Sequence, residues 1–307
     1  MLAYVRKKQY LCSAFATRRK VFSRIATIGY FDGVHRGHRY LFEQVRHLAE
    51  AAHAIPTIYT FYEHPKAVLT GDCPPLLTPA HERFALLEKE GDVRTLFFEQ
   101  VHHLSAQAFM QRLRSEGVDI LLMGYDHRFG SDRLTTFEDY VALGNAIGLR
   151  VLLAKEWCDA KIGHVSSSEI RRAIQARDME RAASMLGYTY CIQGKVVRGN
   201  AIGRTIGFPT ANLAYPAHKL LPPAGVYTGA CVVDHTRFPL LLNIGTNPTV
   251  GNTDVRVEGH LVGCQADLYG KNLVFSVEQF LREERKFPSL EALKAQLQQD
   301  LAAVETR

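Results

Sequence analysis

The sequence predicts an α/β domain built on a parallel sheet, followed by a smaller closed antiparallel β-barrel with one helix after it. Three observations carry this. From Ile25 to Ala154, short apolar and β-branched runs alternate strictly with segments of helical spacing, the grammar of a parallel sheet covered by helices. Near Gly187 the alternation stops, and five strand candidates separated by Gly and Pro turns follow with no helical pattern between them. Finally, 307 residues with 47% hydrophobic composition suffice for two cores. The expected domains are residues 1–186 and 187–307.

Taken in order, Ile25, Thr27 and Ile28 form a strand that ends at Gly29, and Asp32 and Gly33 supply turn chemistry. Gly37 opens a helix, since Leu41, Phe42, Val45, Leu48, Ala49 and Ala52 recur on one stripe. A second strand over 55–61 stops at Pro65. Residues 81–90 read as helix, 95–98 as a third strand, and Ser105 caps a helix to about 114. A fourth strand at 120–123, a helix at 136–147 and a strand at 150–154 complete the sheet. Ser166 with Glu169 three residues on makes a capping box. Beyond Gly187 the strand candidates are 190–197, 225–233, 240–244, 255–262 and 273–280, with a helix over 289–304.

No apolar run approaches the roughly 20 residues that span a bilayer, so the expectation is a soluble protein without a membrane partner. The six cysteines are scattered without a CxxC pair, which argues against zinc and for reduced thiols in a cytoplasm. The net charge of +6 is concentrated at the start, where Arg6, Lys7, Lys8, Arg18, Arg19, Lys20 and Arg24 precede the first acid, Asp32. Without those seven the chain carries 30 basic against 31 acidic residues, no basis for a nucleic-acid surface. The basic start reads as a surface arm leading into the first strand.

His35 and His38 fall at a helix entrance, where free N–H groups and the dipole favour an anion. Two imidazole donors beside Gly37 suit nucleotide phosphates, although two ordinary loop histidines would give the same letters. His64 and the pair Asp126 and Arg128 also follow predicted strands, the end at which parallel sheets bind ligands; a capped loop histidine and a turn-capping aspartate are the plainer readings. Ser166, Ser167 and Ser168 with Arg171 could hold a triphosphate or simply cap a helix. In GRTIGFPTANL, Arg204, Thr210 and Asn212 offer a cation and two neutral oxygens, with Gly203 and Gly207 freeing the backbone. That set suits a Mg-nucleotide, though the spacing alone is a weak signal.

As strings, these stretches resemble the bacterial bifunctional riboflavin kinase/FAD synthetase family. GYFDGVHRGH (residues 29–38) is similar to its nucleotide-binding signature, with Tyr30 where Asn is usual. Phe61, His64 and Pro65 match a second motif, GYDHRFG (124–130) a third, and Ser166, Ser167, Ser168 and Arg171 a fourth. GFPTAN, LPPAGVYTG, NIGTNPTV, RVEGHL and DLYG follow in that family's order. The resemblance implies a Rossmann-like nucleotidyltransferase domain and a riboflavin kinase-like barrel. It places Gly29, Phe31, Asp32, Gly33, Gly37, His64, Pro65, Asp126, Arg128 and Phe129, with the three serines, around ATP and flavin. It assigns His35, His38 and Arg171 to adenylyl transfer, Thr210 and Asn212 to Mg²⁺, and Glu258 to the kinase's general base; a solvated outward carboxylate is the plainer reading of Glu258. It adds Gly203, Arg204, Gly207, Phe208, Pro209, Asn243 and Arg282 to the nucleotide and flavin contacts.

The implied function is phosphorylation of riboflavin to FMN by ATP, then adenylylation of FMN to FAD and pyrophosphate, on small-molecule substrates only. Rival readings are a nucleotidyltransferase acting on another phosphate, a chain with one silent module, and a non-catalytic flavin or RNA binder. The oligomeric state is left open.

Overall fold

A computed structural model describes residues 23–125, 127–199, 202–246 and 255–305. The basic arm as far as Lys20 and the candidate ligand Asp126 therefore lie outside the described residues. Arg24, counted with that arm by sequence, instead opens the first strand, where it pairs with Asp92 at 2.5 Å and donates to Thr57 Oγ1 at 2.9 Å.

The first half runs β1 (Arg24–Gly29), α1 (Arg36–Ala51), β2 (Ile55–Phe61), α2 (Pro65–Thr70), α3 (Ala80–Leu87), β3 (Asp92–Leu96), α4 (Ala106–Ser115), β4 (Val118–Met123), α5 (Phe137–Ile147) and β5 (Arg150–Leu153). The strands form one sheet in the order β3-β2-β1-β4-β5, with β4 parallel to both β1 and β5. The chain moves outward through β1, β2 and β3 and then crosses to β4, so β1 lies where the strand order reverses, the position at which such sheets bind ligands. Ser105 caps α4 as expected, and Thr136, expected inside the helix, instead caps α5 with a reciprocal Asp139 bond. The third strand is displaced from the expected 95–98 to 92–96. Residues 98–100 instead form a single 3₁₀ turn.

The chain continues with α6 (Ser167–Gln175), α7 (Met179–Leu186), β6 (Cys191–Val197), α8 (Ile202–Thr205), β7 (Ala211–Ala214), β8 (Gly225–Val233), β9 (Thr236–Thr246), β10 (Val255–Leu261), β11 (Asn272–Ser276), β12 (Gln279–Arg282) and α9 (Leu290–Glu305). The sheet order is β11-β6-β7-β10-β9-β8-β12, and a further β11–β8 pairing, Phe275 opposite Cys231, closes six strands into a barrel. The expected single strand 273–280 is two strands: Val277 and Glu278 donate to Tyr190 and Thr228 and turn the chain from one barrel edge to the next.

By contacts the chain divides into two compact units. One comprises residues 1–29, 42–59 and 91–155, and the other residues 30–41, 60–90 and 156–307. In the second, α6 and α7 share one core with the barrel, from Ile170, Ile174 and Leu186 to Tyr190, Tyr227, Leu242 and Phe275. Among the described residues no helix is long and apolar enough to cross a membrane, and five cysteines carry free thiols.

Candidate active site

Most of the candidate residues belong to the second unit. The chain leaves β1 through a turn whose backbone is held in conformations side chains rarely adopt: Phe31 has φ 58°, Gly33 81° and Val34 37°. Such strain persists only where the surroundings fix it, and here they do. Gly33 N donates to Thr78 Oγ1 at 2.8 Å, Ser167 Oγ to Asp32 O at 2.9 Å and Tyr188 OH to Gly33 O at 2.7 Å.

The centre of this arrangement is the Asp32 carboxylate, 5% exposed. It accepts from Leu77 N (3.0 Å), Thr78 N (2.9 Å), Thr78 Oγ1 (3.2 Å) and Arg171 Nη2 (2.5 Å). Four donors saturate it. Asp32 is thus a latch joining the turn to residues 77–78 and to α6. Arg171 is likewise committed in part, its Nε donating to Pro75 O at 2.9 Å.

Beyond the latch, His35 and His38 stack with ring centroids 3.6 Å apart, and His38 lies edge-on to Phe31 at 5.1 Å. His35 Nδ1 accepts the His38 backbone N–H at 3.4 Å, which leaves the ring proton on Nε2 as a donor. A Cβ at Gly37 would press on the His35 ring at 3.3 Å. Burial, with His164 adding to it, lowers the His35 pKa to about 4; burial and His35 hold His38 well below its ordinary value. Both rings are therefore neutral near pH 7. His38 Nδ1 is buried without a hydrogen-bond partner.

His64 caps α2: its Nδ1 accepts Lys66 N–H at 3.1 Å, and Pro65 takes the first helical position. Its ring meets Tyr30 edge-on at 4.6 Å. Ser166 caps α6 by accepting from Glu169 N at 3.3 Å, while the Glu169 carboxylate pairs with Arg172, so of the expected capping box the forward half is present. Ser168 is exposed. Arg128 and Phe129 belong to the first unit: Arg128 donates to Tyr125 O and His127 O, and Phe129 packs on Phe109 and Tyr140.

Two of the cavities among the described residues lie in the barrel. One, about 380 Å³, is lined by Arg204, Pro209, Thr210, Ala211, Leu261 and Tyr269 among others. The second, about 360 Å³, is lined by Gly203, Phe208, Thr210, Asn243, Glu258 and Glu284 among others. Thr210 lines both. On β10, Glu258 lies opposite Asn243 of β9 and Asn212 of β7, so three predicted residues share one barrel row. Burial raises the Glu258 pKa, with Arg256 opposing and Glu284 reinforcing. Thr210 brings a neutral oxygen to the wall of both cavities, while the Asn212 amide lies against Gly199; two neutral oxygens of this kind suit a hard cation completed by phosphates and water.

Arg282 lines the second cavity and is also tied to the terminal helix. Its guanidinium holds the buried Asp300 of α9 by contacts of 2.7–3.1 Å, so it anchors the terminal helix to the barrel. Glu284, absent from the sequence reading, lies on the same cavity wall. It accepts from Asn243 Nδ2 at 3.0 Å, and its carboxylate lies where a Cβ on Gly245 would collide. A glycine inside a strand was the available signal. Arg83, fully buried under Tyr30, was also missed.

Comparison with known proteins places these features in context. A family model described as FAD synthetase matches residues 19–169, and one described as riboflavin kinase matches residues 186–307. A curated relative from Pseudomonas fluorescens is 34% identical over 285 residues, covering 91% of each chain. One from Escherichia coli K12 is 33% identical, covering 90% of each. Both are named bifunctional riboflavin kinase/FMN adenylyltransferase. A solved structure from Streptococcus pneumoniae, described as a macrolide-efflux protein, superposes with TM-score 0.83 at 30% identity over 93% of this chain and 95% of that one.

Proposed function

The chain belongs to the bifunctional riboflavin kinase/FMN adenylyltransferase family, and we propose that it carries both activities itself: riboflavin plus ATP gives FMN plus ADP in the barrel, and FMN plus ATP gives FAD plus pyrophosphate at the His35/His38 turn. The adenylyl-transfer module then spans residues 1–186 and the kinase module 187–307, acting on small molecules in the cytoplasm. The observation that carries the kinase half is Thr210, shared by two cavities of which one holds Glu258. A nucleotide in the first and a flavin in the second would meet at that residue.

In the kinase step, Glu258 takes the proton of the ribityl 5′-hydroxyl as that oxygen attacks the γ-phosphorus and ADP leaves. Burial of Glu258 and its neighbour Glu284 favour this role, because both raise its proton affinity. Thr210 and Asn212 would hold Mg²⁺, which supplies charge neutralisation on the phosphates. In the second step the FMN phosphate is already an anion, so no base is needed. It attacks the α-phosphorus of ATP, the α–β bridge oxygen leaves with pyrophosphate, and neutral imidazole N–H groups of His35 and His38 donate to the charged oxygens. Arg171 and the α6 entrance extend the same donor set.

The test is to incubate the pure protein with riboflavin, ATP and Mg²⁺ and resolve FMN from FAD by chromatography. His38→Ala is expected to lower FAD formation by about a hundredfold or more while FMN accumulates; Glu258→Ala is expected to stop FMN formation while added FMN still becomes FAD. Equal loss of both products in either variant would refute the two-site assignment.

A further inference from the structure

Arg83 of α3 is fully buried. Its Nη2 donates to Phe61 O at 2.7 Å and to Tyr62 O at 3.1 Å, the carbonyls at the end of β2. Its Nε and Nη1 are buried without a partner of good hydrogen-bond geometry, and the side chain it bonds with is that of Tyr30, which is neutral and cancels no charge. No ion pair of Arg83 occurs among the described residues. Asp32, whose charge reaches it, gives its oxygens to Arg171, Leu77 and Thr78. What faces the guanidinium instead is the Tyr30 ring, 3.7 Å from Cζ, with the Phe84 ring at 5.4 Å. Tyr30 in turn lies against His64 and begins the turn that carries His35 and His38.

Leaving a cation in the interior without a counter-charge is costly, and replacing a buried charge by an apolar side chain of similar volume is often neutral or stabilising. Met or Leu would fill this space without that cost, though at the loss of the bonds to Phe61 O and Tyr62 O. Two aromatic faces and two carbonyls soften the cost without cancelling the charge. The uncancelled charge sits behind the one strained turn that the adenylyl-transfer reading assigns to phosphate.

We propose that Arg83 is a positioning residue of the adenylyl-transfer site: a buried cation kept without a counter-ion so that its charge, delivered through Tyr30 and the end of β2, favours phosphate held at the Tyr30–His38 turn. This rests on the adenylyl-transfer reading. The phosphate could be that of ATP or of FMN, and titrating each separately distinguishes them.

The experiment compares wild type with Arg83→Met and Arg83→Lys in FAD formation from FMN and ATP, alongside ligand-free melting. The expected result is that Arg83→Met still melts as a folded protein, losing only what its two carbonyl bonds contribute, yet loses about tenfold or more in kcat/KM. The loss should appear in KM for ATP or for FMN, and Arg83→Lys, which keeps the charge, should recover part of it. Wild-type parameters in Arg83→Met would overturn the proposal. So would activity lost to the same extent in both variants, since the residue would then be scaffold alone. If wild type itself forms no FAD, it is the adenylyl-transfer reading that fails, and the inference falls with it.

Discussion

Asp32→Asn separates a latch from a ligand. The substitution keeps the shape but replaces one acceptor oxygen by an NH₂ group. With that group in the Oδ2 position, it would face two donors, Leu77 N–H and Arg171 Nη2. Breaking one side of a buried ion pair costs about 3–5 kcal/mol. The Arg171 side chain is 24% exposed, so water recovers part of its charge and the lower end applies, about 3 kcal/mol. For a cooperative unit of this size that is a fall of about 6–12 °C in melting temperature. Scanning fluorimetry without any ligand reads it directly. A carboxylate whose task was to contact ATP would leave ligand-free melting untouched and, once neutralised, would bind the triphosphate better. An Asp32→Asn protein that melts with wild type and binds ATP more tightly would therefore refute the latch. The latch further requires FAD formation to drop, because the strained Phe31–Val34 backbone relaxes once residues 77–78 let go.

Two further outcomes follow from the same unit. His35 and His38 have folded pKa values below their unfolded value near 6.5, to about 4 for His35. Below pH 6.5 the unfolded chain takes up protons that the buried rings refuse, so stability present above that pH is lost as pH falls toward 4. Melting curves across pH 7 to 4.5 should show this fall, and it should be shallower in His38→Asn; identical slopes would contradict the assignment. Lys219, buried, donates to Leu77 O at 2.8 Å and to Glu82 at 2.6 Å. Lys219→Met should destabilise by about 3 kcal/mol, and adding Glu82→Leu should restore most of it, because an apolar pair replaces an orphaned carboxylate. A double variant no better than the single would show that the bridge matters for its Leu77 bond instead.

Much of the architecture was legible in the residues. Strand and helix periodicities are local, so β2 and β8 lie at the expected positions and α4 begins at its expected cap. The short elements escaped: α2 has no buried residue and so no apolar stripe to detect, and β7 is four residues long. The break at 277–278 was invisible because the partners that bend it, Tyr190 and Thr228, lie far away in sequence.

The sequence by itself determined the order of the two modules and the histidine turn, since each depends on side-chain spacing along a strand or helix entrance; the row of Asn212, Asn243 and Glu258 needed three strands to be paired. Only the tertiary structure decided which charged groups the protein itself supplies with partners. Asp32 meets partners 45 to 139 residues away, and Arg282 turns to Asp300. Arg83 lies beneath Tyr30 with two donors lacking a well-placed partner. A carboxylate or guanidinium has the same letter whether saturated or not. Its role is set by how many partners the fold brings within hydrogen-bond reach, which no local pattern encodes.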